Sequence, residues 1–353
     1  MDFVYGVIFS FSGGYNFLNG QVCKEFRMLV PKVSYVVYLD QLIRDGKQPE
    51  NFPPSEFGPS RKLAKIAIEK GLLALLEQCK HVSSDLCKIA AKKGNLKVLQ
   101  WARSEDYHWD ERTCSGAAFK GHLEILQWAK ANGCEWDEDT CAYAASAGHL
   151  EILKWARSEN CPWDETTCHN AAQAGHLEIL KWVTEKGCVY DEWMCAYAAL
   201  AGHLEILKWA EEQDFPWDER TCSHAALGGH LEMLKWLRSK DCSWDEETCA
   251  YAAWGGHLEV LQWARSQGCP WDERTFYLGT IHGDLETMQW LKKEGCPWNE
   301  RACSYAAANG HLEILKWLRA NGCPWDRDTL NNARERNHPQ VHQWLMVAHI
   351  KYN

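Results

Sequence analysis

Between residues 110 and 136 the chain reads DERTCSGAAFKGHLEILQWAKANGCEW, and its apolar positions fall into two helical patterns separated by a glycine. In the first pattern Cys114, Ala117 and Ala118 share one face by i, i+3, i+4 spacing. Two adjacent alanines keep that face thin, so a neighbouring helix can approach closely. Asp110 is placed to cap the start, its carboxylate accepting from the free amides of the first turn. Gly121 turns the chain. In the second pattern Leu123, Ile125, Leu126, Trp128 and Ala129 form a broad apolar face, with Glu124, Gln127 and Lys130 opposite. Gly133 is placed to end this helix as a left-handed cap. Neither helix can bury its apolar face alone.

The pattern recurs. Gly94, Gly121, Gly148, Gly175, Gly202, Gly229, Gly256, Gly283 and Gly310 each lie 27 residues after the last, and HLEILKW is spelled identically at 149–155 and 176–182. A fixed period of this size marks a stacked repeat array, in which each copy completes the core of its neighbour. On the outer face Glu precedes Lys by three residues, as in Glu151 and Lys154, a weakly favourable pair. Tryptophan follows the same period. Ten occupy a second-helix column from Trp101 to Trp344, and eight occupy a loop column: Trp109, Trp136, Trp163, Trp217, Trp244, Trp271, Trp298 and Trp325, with Tyr190 substituting once. Such columns predict core packing rather than a ligand cage. Only Trp193 and Trp254 fall outside them.

Charge divides the chain. Of the net −10, residues 1–120 carry 17 basic and 13 acidic side chains, and the remaining 233 carry 21 and 35. A long acidic array behind a mildly basic entry segment (Lys88, Lys92, Lys93, Lys97) argues against nucleic acid as a partner, because counterion release rewards basic surfaces. Of the 17 cysteines, 15 follow the repeat in two columns, Cys87 to Cys303 and Cys134 to Cys323. Equivalent positions in stacked helical repeats stand roughly 10 Å apart, one interhelical spacing, farther than the roughly 4.4–6.8 Å that a disulfide tolerates. They are expected to be small buried thiols of a cytoplasmic, reducing environment. The opening MDFVYGVIFSFSGG is apolar but has no basic n-region, and Gly13-Gly14 interrupts it; neither a secretory signal nor a membrane span is expected.

The stretch GHLEILKWARSENCPWDE resembles the ankyrin repeat from its second helix into the loop, and Ala171-Ala172-Gln173-Ala174-Gly175-His176 resembles the end of that family's first helix. Copies of the G-C-P-W-D-E-x-T-C kind resemble ankyrin-like families abundant in giant viruses and some algae. The departure is length: ankyrin repeats run to about 33 residues, and this period is 27. The missing residues fall where that family forms its β-hairpin finger. The resemblance therefore implies an all-α, ankyrin-like helical-repeat solenoid over residues 60–353 with fingers trimmed to tight loops. The loop tryptophans would take over the packing that the hairpin supplies in that family. The ends depart as capping copies should: 60–79 keeps only the Ala67 and Gly71 spacing, and the last copy carries Arg334, Glu335 and Arg336 in place of small residues.

Residues 1–45 form a small helical N-terminal segment that resembles an F-box. The run at 7–11 sits where that family has an apolar helix, and Val22-Cys23-Lys24-Glu25-Phe26-Arg27 matches its V-C-[KR]-x-[WF]-[RK] signature; the leading Leu-Pro is missing. This resemblance implies that Val7, Ile8, Phe9 and Phe11 would bind a Skp1-like adaptor. The alternative is a helical cap that shields the array. Residues 46–59, rich in Pro and polar side chains, read as a linker.

Candidate chemistry is sparse. There is no CxxC pair, and the one HxxxH spacing, His338 to His342 in the last copy, stands alone, so neither zinc nor any other metal or cofactor is expected. The histidines after the turn glycines (His122, His149, His176, His203, His230, His257, His311) are expected to cap or bridge the second helix. No P-loop, no G-x-S-x-G and no isolated carboxylate pair stands out, and a catalytic site is singular where these residues recur in every copy; an enzyme is not expected. The positions that vary are more informative. Phe119, Gln173, Leu200, Leu227, Trp254 and Ile281 precede the turn glycine by two, and in ankyrin proteins the matching positions line the concave groove that holds partners. An apolar stripe that the core does not demand is a binding-site candidate; the alternative is packing under the neighbouring first helix. The expected function is protein–protein interaction through this groove, coupled to a cullin-type ubiquitin ligase if the F-box resemblance holds. The alternative is a plain scaffold or masking, inhibitory binding protein.

Overall fold

The computed structural model describes residues 35–45, 61–79 and 84–352, and over them the chain is built of helices, with no strand among the described residues. It divides into two compact units, one ending at Trp163 and one beginning at Asp164. In the first unit the helix Tyr35–Arg44 is followed by Arg61–Lys70 and Leu73–Glu77, then by three repeat pairs: Leu86–Lys92 with Leu96–Ser104, Glu111–Phe119 with Leu123–Ala131, and Glu138–Ser146 with Leu150–Ser158. The second unit contains seven pairs, from Glu165–Gln173 with Leu177–Glu185 to Arg327–Glu335 with Pro339–Tyr352.

From Glu111 onward each first helix starts from an extended Asp or Asn, whereas Asp85, ahead of Leu86–Lys92, is not extended. Asp110, Asp164, Asp191, Asp218, Asp245, Asp272 and Asn299 accept from the backbone N–H two residues on. Each of these residues directly follows the loop ring, Tyr190 in the case of Asp191 and a tryptophan in the others. Each second helix ends on a left-handed residue, Gly133 at φ 85° in one copy and Asn160 at φ 61° or Asp241 at φ 58° in others. The core lies between the helices of each copy and its neighbours and is made of small and aliphatic groups: Cys114, Ala117, Ala118, Leu126 and Ala129 are fully buried, as are Cys222, Ala225, Ala226, Leu234 and Leu237.

The tryptophan columns are placed differently from the expectation. None of the eighteen is buried; all are half-buried on the outer side. Seven loop tryptophans meet the second-helix ring of their own copy edge-on, as in Trp136–Trp155 at 5.6 Å and Trp244–Trp263 at 5.9 Å between centroids. A cation from the preceding second helix covers the other side of the loop ring: Arg103 on Trp109 at 4.4 Å, Arg238 on Trp244 at 4.2 Å, Arg265 on Trp271 at 4.3 Å. The same arginines donate to the loop carbonyls, Arg265 to Cys269 at 2.9 Å and Arg319 to Cys323 at 2.6 Å. The reason is size. The alanine-faced gap between helices has no room for an indole, so the rings staple successive second helices from outside.

The histidine column bridges rather than caps. No side chain from it caps the second helix that it precedes. Instead the imidazole Nε2 reaches back to a carbonyl of the preceding copy: His203 to Gln173 at 3.2 Å, His230 to Leu200 at 3.1 Å, His311 to Ile281 at 3.0 Å. The ring lies against the turn glycine of that copy, where a Cβ on Gly202 would come within 2.7 Å of His230. Glycine is thus required there twice, for its positive φ and for this contact. The copy at 276–302 shows the rule by exception. Asp284 replaces its histidine and caps the helix through the Glu286 and Thr287 amides, while the ring of His282 takes the place against Gly256.

At the N-terminal end, Val36, Leu39 and Leu42 are buried, and the helix Tyr35–Arg44 packs on Leu73–Glu77. Its buried Asp40 accepts from the Leu75 amide at 3.0 Å and pairs with Arg44 at 2.5 Å. Residues 35–44 are thus joined to the start of the array. Val7, Ile8, Phe9, Phe11 and the linker 46–59 lie outside the described residues.

Candidate functional site

Counting from each capping Asp, the positions two, six and nine residues on share one face of the first helix, the i, i+4, i+7 stripe. The ninth is the stripe singled out in the sequence. Phe119 is 38% and Trp254 42% exposed; Gln173 is exposed, and Leu200, Leu227 and Ile281 are half-buried. Within the second unit, Leu200, Leu227, Trp254 and Ile281 stand on successive first helices that pack directly on one another. The backbone carbonyls of Gln173, Leu200 and Ile281 are the ones held by the bridging histidines. The main chain of the stripe is fixed by invariant residues, and the side chains are left free to differ.

Positions two and six were missed in the sequence. They add Trp193, Tyr197, Arg220, His224, Tyr251 and Tyr305. The rings form a continuous chain: Trp193–Tyr197 at 5.8 Å, Trp193–His224 at 5.6 Å, His224–Tyr251 at 5.7 Å and Tyr251–Trp254 at 5.7 Å. Arg220 lies over Trp193 at 4.7 Å and pairs with Asp218 at 2.5 Å. Arg274 joins Asp272 at 2.7 Å and Glu247 at 3.3 Å. Burial lowers the pKa of His224, with its Nδ1 held by the Arg220 carbonyl at 2.8 Å, so its ring is neutral near pH 7. Burial, then the Glu247 carboxylate, raises Tyr251. This face offers broad aromatic area and forks of arginine, with no exposed nucleophile. The available signal was variation at helical spacing: these positions also change from copy to copy, four and three residues apart.

In the first unit the same face is more basic. Phe119 and Tyr143 meet edge-on at 6.0 Å, Lys120 lies over Phe119 at 4.9 Å, and a cleft of about 360 Å³ opens beside them.

The two cysteine columns approach each other within the copies. The Cys114 and Cys134 thiols are close enough to affect one another's ionisation, as are Cys141 with Cys161, Cys222 with Cys242, Cys249 with Cys269 and Cys303 with Cys323. In three copies an aromatic replaces one member: Tyr107, Phe215 and Phe276 stand opposite Cys87, Cys195 and Cys296. The loop thiols donate to the carbonyl of the capping residue, Cys134 to Asp110 at 3.4 Å and Cys242 to Asp218 at 3.4 Å. All sixteen described cysteines are free and buried. The neighbouring thiol and burial raise Cys134 and Cys222, and burial pushes Cys195 up to about 12, so these groups stay protonated and unreactive. Among the described residues no group of three or more His, Cys, Asp or Glu converges as a metal site would. No helix there is long and apolar enough to cross a membrane.

Residues 114–193 match the family model described as ankyrin repeats, in three copies. The ankyrin-like repeat thus rests on a direct sequence match over that stretch and on the same helix pair throughout the described array. Among solved structures, the human ASB11 ankyrin repeat domain is similar at 14% identity and a TM-score of 0.37, covering 44% of this chain and 84% of that one. No curated protein matches the chain.

Proposed function

We propose that this protein is a non-enzymatic recognition module that holds another protein on the variable face of its first helices. One observation carries this reading: on the first helices the repeating Cys and Ala side chains are buried in stacking, while the side chains that differ between copies are exposed or half-buried. Ankyrin repeats bind protein partners, and an aromatic surface set with arginines is the composition of interface hot spots. Trp254 is the best anchor, being exposed, adjacent to Tyr251, and flanked along the stripe by Leu227 and Ile281. The free thiols fit a reducing, cytoplasmic setting.

The experiment compares the proteins retained by the full chain and by Trp254→Ala. The variant is expected to weaken a retained partner by about 2 kcal/mol or more with the melting temperature unchanged. As a control, truncating the fully buried Leu261 to Ala lowers stability by about 2–5 kcal/mol. An unchanged partner set for Trp254→Ala, or a fall in melting temperature like that of Leu261→Ala, overturns the assignment.

The V-C-K-E-F-R string at 22–27 supports a narrower role, in which residues 1–45 dock a Skp1-like adaptor and the array recruits substrates for ubiquitination. Domain limits of 1–45, 46–59 and 60–353 belong to the same proposal. Ile8→Ala with Phe11→Ala is then expected to abolish adaptor binding while the array melts as before. Adaptor binding that survives both substitutions, or that never occurs, leaves a plain scaffold or masking protein.

A further inference from the structure

We propose that the basic cleft of the first unit binds the phosphorylated tyrosine side chain of a peptide. This rests on the reading that the first-helix face holds protein. The cleft, about 360 Å³, is formed by the first helices Leu86–Lys92, Glu111–Phe119 and Glu138–Ser146. Lys88, Lys92 and Arg112 supply its charge, Phe119 and Tyr143 its walls and Gly116 its floor.

The shape of the cleft comes from the repeat itself. Six residues after the capping Asp, four copies carry tyrosine: Tyr143, Tyr197, Tyr251 and Tyr305. The copy starting at Asp110 carries Gly116 there, so no ring of the column stands directly beside Tyr143, and the space over Gly116 is taken by the flexible stem of Lys92, which a ligand ring displaces. A ligand phenyl ring fills that space, edge or face against Phe119 and Tyr143, which are 38% and 41% exposed. A tyrosine-derived ring fits this place as the chain's own tyrosines do in four other copies.

The charge specifies what that ring carries. Arg112 is committed to Asp110 at 2.6 Å and faces Asp85 at 3.7 Å. Among the described residues Lys88 and Lys92 form no ion pair, and the stem of Lys92 lies over Gly116, where an added Cβ would meet its Cγ at 2.9 Å. Asp139 is the carboxylate in the lining and repels any anion, so an anionic ligand held here must draw on both lysines. A phosphate monoester carries about −1.5 to −2 at pH 7 and three strong acceptors, which matches two uncommitted ammoniums beside a guanidinium.

The probe is phenyl phosphate, followed by ligand-observed NMR on the full chain, with phenol and inorganic phosphate as controls. Saturable binding is expected, at least tenfold tighter than either control. Lys88→Ala with Lys92→Ala should weaken it tenfold or more. Gly116→Tyr, which installs the side chain of the other copies and keeps every charge, should do the same. If Gly116→Tyr fails to fold by circular dichroism, the lysine double variant decides alone. No binding of phenyl phosphate, equal binding of inorganic phosphate, or unchanged binding in the folded variants overturns the proposal. So does tighter binding of a nucleoside monophosphate with the same variant dependence, which marks a nucleotide site. Because Trp254 lies in the other unit, a negative result here with a partner lost in Trp254→Ala rejects the cleft and leaves the protein-holding reading standing.

Discussion

Three residues after the capping Asp, a threonine is buried in copy after copy, and its hydroxyl has no hydrogen-bond partner at Thr113, Thr140, Thr167, Thr221, Thr248 or Thr275. A buried hydroxyl left unpaired costs about 1–3 kcal/mol on protein scales. Two copies dispense with it, placing Met194 and Ala302 at the same position. Thr221→Val keeps the shape and the β-branch and removes the unpaired oxygen. It should raise stability by about 1 kcal/mol, read as a higher denaturant midpoint with an unchanged slope; a lower midpoint would mean that the hydroxyl has a partner. The threonine column was visible in the sequence as a repeat, but its burial without a partner was not, because Thr at the start of a helix ordinarily finds a local acceptor. Thr329 does so, in a reciprocal pair with Asp326. Legible at this scale were the caps and breakers: Asp110 accepting from Arg112, and Gly133 in the left-handed region. Those follow from the local chemistry of one residue and one turn.

At the scale of the helix pair, periodicity located both helices of each copy. The Glu–Lys pairs of the outer face form as the spacing predicts, Glu151 with Lys154 at 2.8 Å and Glu232 with Lys235 at 2.6 Å, though exposed pairs of this kind add little. Less legible was how the pairs are joined. Hydropathy ranks tryptophan as core, yet Trp155 and Trp263 remain half-buried, because what excludes them is the volume available between alanine-lined helices. The staple that results needs three parts from different stretches, such as Arg238, Trp244 and Trp263. No single window of sequence contains its geometry. The variable face was obscured in the same way: the apolar ninth position drew notice as a stripe, whereas Trp193 stood out only as off-register and His224 not at all, since neither continues an apolar run. The gap at Gly116 becomes meaningful only when the tyrosines of other copies are laid beside it.

Over the whole molecule, the thiols act together. Burial pushes Cys87 up to about 11 and Cys195 and Cys296 up to about 12, against roughly 8.5 for a thiol in an unfolded chain. Below that value both states hold their protons and the stabilisation is complete. As the pH rises further the unfolded chain releases protons that the folded chain keeps, so stability falls progressively through roughly pH 9 to 12. The melting temperature should therefore decline between about pH 8 and pH 10.5, and Cys195→Ala, lacking one such proton, should decline less steeply. A melting temperature that is flat over this range, or equally steep in the variant, would contradict the burial of these groups. The fold class was legible from the 27-residue period because stacking copies have few ways to close a core. The division at Trp163 was not, since the period runs through it unchanged.

The histidine laid on the preceding glycine has a consequence for descent. Every joint of this type is made from the same two parts, one supplied by each side, so either side of a joint can be exchanged for the matching side of another. A gene segment spanning one period can then be lost or gained by unequal recombination without a new joint having to arise. What changes is the number of rows on the variable face, and each added row starts as a duplicate whose exposed side chains can drift while its buried ones cannot.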